Sequence, residues 1–272
     1  MELLRDNALA WLASGRAAVL VRVSDTKGSV PREAGTRMLV AGDCVAGTIG
    51  GGHLEWQAIA RAREMLAADQ APAQSVHYAL GPSLGQCCGG AVTLSFERLH
   101  AEHLAAWPQE APRFHLQLYG AGHVGRAIAR LLATLPVQVD WIDEREDAFP
   151  PALADGPWPR HIRRVAVDAV EAEVRHAPPG AFYLVLTHQH DLDLRITEAI
   201  LRRNDFTFFG LIGSRTKRQR FIHRLEERGL PHAAIDRMVC PIGLPGIVGK
   251  EPEVIAVAVV GQLLRESAKP RS

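Results

Sequence analysis

Up to about residue 100 the apolar positions fall in short runs: AAVLVRV (17–23), TRMLV (36–40), CVAGTIG (44–50), SVHYAL (75–80) and AVTLSF (91–96). Runs of this length, rich in β-branched residues, predict strands. The stretch LEWQAIARAREMLA (54–67) follows a different period, with Leu54, Ala58, Ala62, Met65 and Leu66 on one helical face. A short amphipathic helix precedes the first strand at the amino terminus. The first hundred residues therefore predict an α+β domain.

Both periodicities then lapse. ERLHAEHLAAWPQEAPRF (97–114) gains prolines and ends where a new apolar strand begins, so the domain boundary is expected at about residues 100 to 112. From RFHLQLY (113–119) onward, apolar strands alternate with segments that read as helices: VQVDWID (137–143), IRRVAV (162–167), AFYLVLTH (181–188) and FTFFGLIG (206–213). Strand then helix, repeated, predicts a parallel sheet covered on both faces. The fold class expected is thus α/β, an amino-terminal α+β domain over 1–105 followed by a Rossmann-like parallel-sheet domain over 113–272.

Composition narrows the function classes. The 272 residues carry 31 Lys and Arg against 30 Asp and Glu, a formal net charge of +1, so no global field favours nucleic acid or an anionic membrane. Apolar content of 47% is ample for two cores. The amino terminus lacks a basic flank and a cleavage site, and no run approaches about 18 uninterrupted apolar residues. A cytoplasmic chain with no membrane segment is expected. The four cysteines, Cys44, Cys87, Cys88 and Cys240, are too few for a secreted disulfide framework and match no paired zinc spacing.

Five places can carry chemistry. In YGAGHVG, Gly120, Gly122 and Gly125 form a GxGxxG between a strand and a helix, with Asp143 after the next strand, about 20 residues on. This pattern suits a nucleotide or another phosphorylated ligand, although close helix–strand packing alone also demands such glycines. In GTIGGGHLEW, Gly50, Gly51 and Gly52 lead from a strand into a helix beside His53 and Glu55. That turn either exposes N–H groups to a phosphate or polar heterocycle or is a bulge that redirects the chain. In LIGSRTKRQRF, Ser214 can cap a helix whose first turns hold Arg215, Lys217, Arg218 and Arg220. Cations there oppose the macrodipole, and a bound anion would offset the conflict; a solvated basic face is the alternative. In LTHQHDLDL, His188, His190, Asp191 and Asp193 follow a strand and are either metal ligands or hydrogen-bonding loop residues. In LGQCCGG, Gln86, Cys87 and Cys88 sit in a glycine frame. The thiols can meet a soft metal or a sulfur donor, or serve as small buried residues, while a vicinal disulfide would close a strained ring.

Taken together, GSVPREAGTRMLV, GTIGGGHLE, LGQCCGG, YGAGHVG, THQHDLDL, GLIGSRTKRQRF and PIGLPGIVGKEPEVIAVAVVGQLL resemble, in order and over nearly the whole chain, the XdhC/CoxI family of xanthine dehydrogenase accessory proteins. The resemblance implies a molybdenum cofactor (molybdopterin) chaperone, not itself an enzyme. It would protect the cofactor while a cysteine desulfurase supplies the terminal sulfido ligand, then deliver it to the molybdenum-binding subunit of xanthine dehydrogenase. Under this reading Gly50, Gly51, Gly52, Gln86, Cys87, Cys88, Gly120, Gly122, Gly125, Asp143, Ser214, Arg215 and Lys217 hold the cofactor, and Cys87 or Cys88 meets the molybdenum. A homodimer is also implied. The chain departs from the family pattern at Pro245 and at Lys250 and Glu251, where an acid and a helix-capping Ser or Thr are common. Two other classes compete: an NAD(P)-dependent oxidoreductase using GAGHVG and Asp143, and a metal or redox sensor built on the cysteines and the His-rich loop.

Overall fold

The computed structural model describes residues 2–68, 71–80, 89–107, 111–154 and 156–269. The chain divides into two compact units, Met1–Glu110 and Ala111–Ser272.

The first unit is built on a five-stranded antiparallel sheet. Its strands are β1 (Ala18–Lys27), β2 (Arg37–Ala41), β3 (Val45–Gly47), β4 (Gln74–Ala79) and β5 (Ala91–Arg98), in the order β3-β2-β1-β5-β4. Alternation along the central strands gives each face its own helices. Val19, Val21 and Val23 of β1, with Met38, Val40, Leu94 and Phe96, face α2 (Gly52–Ala67), which buries Leu54, Ala58, Ala62 and Met65. The intervening Ala18 and Leu20, with Leu39 and Ala41, face α1 (Glu2–Ala13) and α3 (Ala101–Ala105). Helix α3 lies in the stretch that reads as irregular. Its five residues are held by a reciprocal cap in which the His103 ring accepts from the His100 N–H at 3.0 Å, and Leu104 is buried with Trp107. Such a cap leaves no periodic signature.

The second unit holds a six-stranded, wholly parallel sheet: β6 (His115–Tyr119), β7 (Gln138–Asp143), β8 (Ile162–Ala166), β9 (Phe182–Val185), β10 (Phe208–Leu211) and β11 (Met238–Val239). The order β8-β7-β6-β9-β10-β11 is the 3-2-1-4-5-6 arrangement of a doubly wound Rossmann sheet. Its topological switch point lies between β6 and β9. Leu116, Leu118, Trp141, Phe182 and Leu184 point to one face, beneath α4 (His123–Leu132) and α8 (Pro252–Ser267). Tyr119, Tyr183, Val185, Phe209 and Leu211 point to the other, beneath α5 (His190–Arg203) and α6 (Arg215–Glu227). A short helix, α7 (His232–Ile235), leads into β11.

Two crossovers differ from the expected alternation of strand and helix. Among the described residues, the only helical turn between β7 and β8 is the three-residue 3-10 turn Glu146–Ala148, and between β8 and β9 it is Val170–His176. Pro150, Pro151, Pro157 and Pro159 in the first, and Pro178 and Pro179 in the second, remove N–H donors that a longer helix needs. Helix α8 starts without the side-chain cap common at that place. Glu251 is the N-cap residue and makes no capping bond, and Pro252 follows at the first helical position, where its fixed φ is already helical.

Candidate functional site

The carboxyl ends of the parallel strands gather three of the expected motifs. The glycine turn after β6 is held from below by β7: Trp141 Nε1 donates to the Gly120 carbonyl at 3.0 Å, and Asp143 Oδ2 accepts from the Ala121 N–H at 2.7 Å. The three glycines have separate tasks. Gly120 lies at φ +114°, and a Cβ there would sit 2.4 Å from the Leu186 carbonyl oxygen. A Cβ on Gly125 would sit 2.0 Å from the Gly120 oxygen. Both are required for packing. A Cβ on Gly122 would meet no atom within 4 Å, and Gly122 is the N-cap of α4 with no side chain capping the helix. Of the three, Gly122 is the one whose backbone lies open to a ligand.

Asp143 occupies the place of a ribose-binding acid, but its carboxylate is already engaged. Oδ1 accepts from the Arg145 N–H at 3.0 Å and from Nε at 2.9 Å, while Oδ2 accepts from Arg145 Nη2 at 3.0 Å besides Ala121. Those four bonds match the acceptor capacity of a carboxylate. Burial pushes the Asp143 carboxyl up; the Arg145 guanidinium and the two backbone N–H groups more than offset this and hold it below the ordinary range. In this arrangement Asp143 braces the glycine turn.

The turns after β9 and β10 are joined by a buried ion pair. Asp193 is fully buried in α5; its Oδ1 accepts from the Thr187 N–H at 3.0 Å and the Thr187 hydroxyl at 2.7 Å. Its Oδ2 accepts from Lys217 Nζ at 2.6 Å, and Lys217 donates also to the Ile212 carbonyl at 2.9 Å. Lys217 therefore supplies a cross-link, and Asp193 is the acid that α6 lacks in its own first turn. Ser214 caps α6, accepting from the Lys217 N–H at 3.2 Å. Above this bracket lies an open cleft of about 740 Å³, with Thr187, His188, His190 and Asp191 on one side and Gly213, Ser214, Lys217, Arg220 and Arg224 among those on the other. The His-rich loop and the basic helix start thus line one cavity. Arg215 is exposed and lies outside that lining. Among the described residues, no three His, Cys, Asp or Glu side chains gather in a metal-binding group.

In the first unit, three motifs far apart in sequence meet around residues 28–31. A Cβ on Gly50 would lie 2.7 Å from Pro31, one on Gly28 would lie 3.3 Å from Gly90 Cα, and one on Gly90 would lie 2.3 Å from the Ser29 oxygen. GTIGGG and the last glycine of LGQCCGG therefore both pack on GSVP. The Gly50–Gly52 turn already holds an anion of its own: Glu55 Oε2 accepts from the Ile49 N–H at 3.0 Å, the Gly51 N–H at 3.1 Å and the Thr48 hydroxyl. Gly50, Gly51 and Gly52 all have positive φ, so the turn needs glycine for its path. His53 stacks on Trp56 at 5.5 Å, and Trp56 is 65% exposed. Gln86, Cys87 and Cys88 lie outside the described residues. Of the other thiols, Cys240 is buried, and burial pushes its pKa up, away from the reactive thiolate.

Sequence reasoning missed Trp141, Arg145 and Thr187 as site residues. Arg145, two places beyond Asp143 at a strand end, was the one with a readable signal. Trp141 acts through a bond from β7 to the turn after β6 that no local spacing encodes, and Thr187 bonds Asp193, six residues on, within the β9–α5 turn.

Comparison with known proteins places this architecture. The XdhC Rossmann domain matches residues 116–263, more than half of the chain, and the XdhC and CoxI family matches residues 11–79. The uncharacterized protein YqeB of Escherichia coli K12 is 29% identical over 254 residues, 90% of this chain; the chain spans 43% of that protein's length. A crystal structure from Bacillus halodurans, described as a xanthine dehydrogenase, shares the fold with a TM-score of 0.72 at 19% identity, covering 98% of this chain and 97% of that one. With its Rossmann unit and its amino-terminal motifs matched in order, the chain belongs to the XdhC/CoxI family.

Proposed function

We propose that this protein acts in xanthine dehydrogenase maturation as a chaperone for the molybdenum cofactor. It binds the molybdopterin, shields it while a cysteine desulfurase supplies the sulfido ligand, and hands it to the molybdenum-binding subunit of xanthine dehydrogenase. The observation that carries this reading, beside family membership, is the meeting of GSVP, GTIGGG and the glycine end of LGQCCGG in one place. The glycines there let three backbone segments pack together, and Cys87 and Cys88, which immediately precede Gly89 and Gly90 in sequence, are given the sulfur chemistry in this reading. Taken separately, each unit offers features that suit the group: in the first, Gly51 leaves space where a side chain would stand, and in the second, Gly122 does the same and the cleft beside Ser214 is cationic. When bound, the cofactor supplies an oxo-metal centre with a labile terminal ligand on a phosphorylated pterin. The chain's residues bind, orient and exclude water, and none of them needs to turn over a substrate. A cytoplasmic location and a homodimer belong to the same proposal.

The experiment is expression in a cofactor-competent host, followed by release of the ligand, oxidation and pterin detection by fluorescence and mass spectrometry. Wild-type protein is expected to carry pterin. Cys87→Ala or Cys88→Ala is expected to lower retention or the activation of apo xanthine dehydrogenase; unchanged values for both variants would remove the role given to the pair. A sample without pterin would overturn the chaperone reading.

A further inference from the structure

The cleft between the β9–α5 and β10–α6 turns carries positive charge that the protein leaves unmatched. Of its cations, Lys217 is paired with Asp193 and Arg224 with Asp191 at 3.0 Å, and Asp191 is the one carboxylate in the described lining. His188 lies 3.5 Å from Glu144, and His223 lies 3.3 Å from Glu227. Two side chains are left over. Among the described residues, His190 on α5 and Arg220 on α6 have no hydrogen-bond or ion-pair partner. Both side chains are exposed to the open cleft, and α6 has no acid of its own in its first turn. Helices α5 and α6, of 14 and 13 residues, both begin at the cleft, and the Ser214 hydroxyl, which accepts from Lys217 N–H, still has its proton to donate.

From this unmatched pair inside a formed cavity we infer that the cleft binds a phosphate monoester dianion, held by Arg220, His190 and the Ser214 hydroxyl. A guanidinium fork matches the charge and a pair of phosphate oxygens, and an imidazole N–H and a hydroxyl from the same lining can donate to the others. Resting on the chaperone reading above, the ligand is the terminal phosphate of the pterin, docked here and not on the glycine turn after β6. That turn is the poorer anion site. Its Ala121 N–H is taken by Asp143, and both adjoining cations are engaged: Arg145 is bonded to the same carboxylate, and Arg126 donates to the Ala121 carbonyl at 3.0 Å and to the Ala148 carbonyl.

The test is calorimetric titration of the full chain with inorganic phosphate and with methyl phosphate, at matched ionic strength. Saturable one-site binding is expected, weakened about tenfold or more by R220Q and further by R220Q/H190Q, with partial recovery in R220K. R130Q, which removes an exposed charge from α4 outside the cleft, is expected to leave it unchanged. No saturable binding, or equal loss in R130Q and R220Q, would overturn the site, as would loss in Gly122→Ala with R220Q unaffected. Pterin retained from the host by R220Q separates the two phosphate sources: reduced retention supports the pterin phosphate, and full retention with phosphate binding lost overturns that assignment. A wild-type protein that carries no pterin yet binds phosphate would sink the chaperone reading while leaving the cleft standing.

Discussion

At the scale of single residues, the glycine turn after β6 divides cleanly between packing and access. Gly125→Ala drives a methyl group into the Gly120 carbonyl, which neither strand nor helix can vacate. A loss of about 1–3 kcal/mol or more is expected from such overpacking. Gly122→Ala, with φ of −72° and open space around it, is expected to leave the urea midpoint nearly unchanged. Asp140 supplies a second residue-level prediction. Its carboxylate is buried, which raises its pKa, but His115 at 2.8 Å and Arg163 Nε at 2.7 Å outweigh burial and hold it below the ordinary value. The unfolded chain therefore takes up that proton first as pH falls. The stabilisation is complete above about pH 5 and is lost as pH drops through the folded value. Asp140→Asn is expected to be less stable than wild type at pH 7 and to lose less between pH 7 and pH 3, measured by urea unfolding at each pH.

At the scale of elements, the Asp193–Lys217 bracket makes the β9–α5 and β10–α6 turns one structure. Removing either partner strands a buried charge. Lys217→Met is expected to cost about 3–5 kcal/mol, whereas Lys217→Met with Asp193→Leu is expected to cost far less than the sum of the two single changes. Additive losses in denaturant unfolding would mean that the two turns are held independently. The bracket also explains why the basic start of α6 is only partly a binding surface. Lys217 is structural, Arg215 is exposed outside the cleft lining, and Arg220 is the cation that faces the cavity unpaired. Residue type alone cannot separate these three, because each is a basic side chain within two turns of the same cap.

At the scale of the molecule, two units with separate cores carry the family's motifs, and the Rossmann unit has the strand order of dinucleotide-binding proteins. The order invites an oxidoreductase reading. The saturated carboxylate of Asp143 argues against an unmodified ribose diol in the usual place, since a ribose hydroxyl would have to displace Arg145 or Ala121. Calorimetry with NADH and NADPH is expected to give no saturable micromolar binding; tight NADH binding would restore the oxidoreductase reading. No helix among the described residues is long and apolar enough to cross a membrane.

What the sequence determined by itself follows from local rules. Short apolar runs and helical periodicity placed β1 to β10, α1 and α2, and the GxGxxG fell, as its flanking periodicity required, between a strand and a helix. Family membership was legible from motif order. The helix α3, whose cap is made by two histidines, and the two-residue strand β11 were too short to leave a period. The strand order and the partners of charged groups were decided only by tertiary structure. Asp143, Lys217 and Glu55 each stand where a ligand-binding residue is expected, and each is engaged by protein donors or acceptors brought close by folding. A carboxylate or ammonium is available to a ligand only if the fold leaves it unpaired. Glu55 and, in large part, Asp143 find their partners a few residues away, but the bonds from Ala121 to Asp143 and from Lys217 to Asp193 join turns that the chain connects through the sheet, and no spacing along the sequence encodes those.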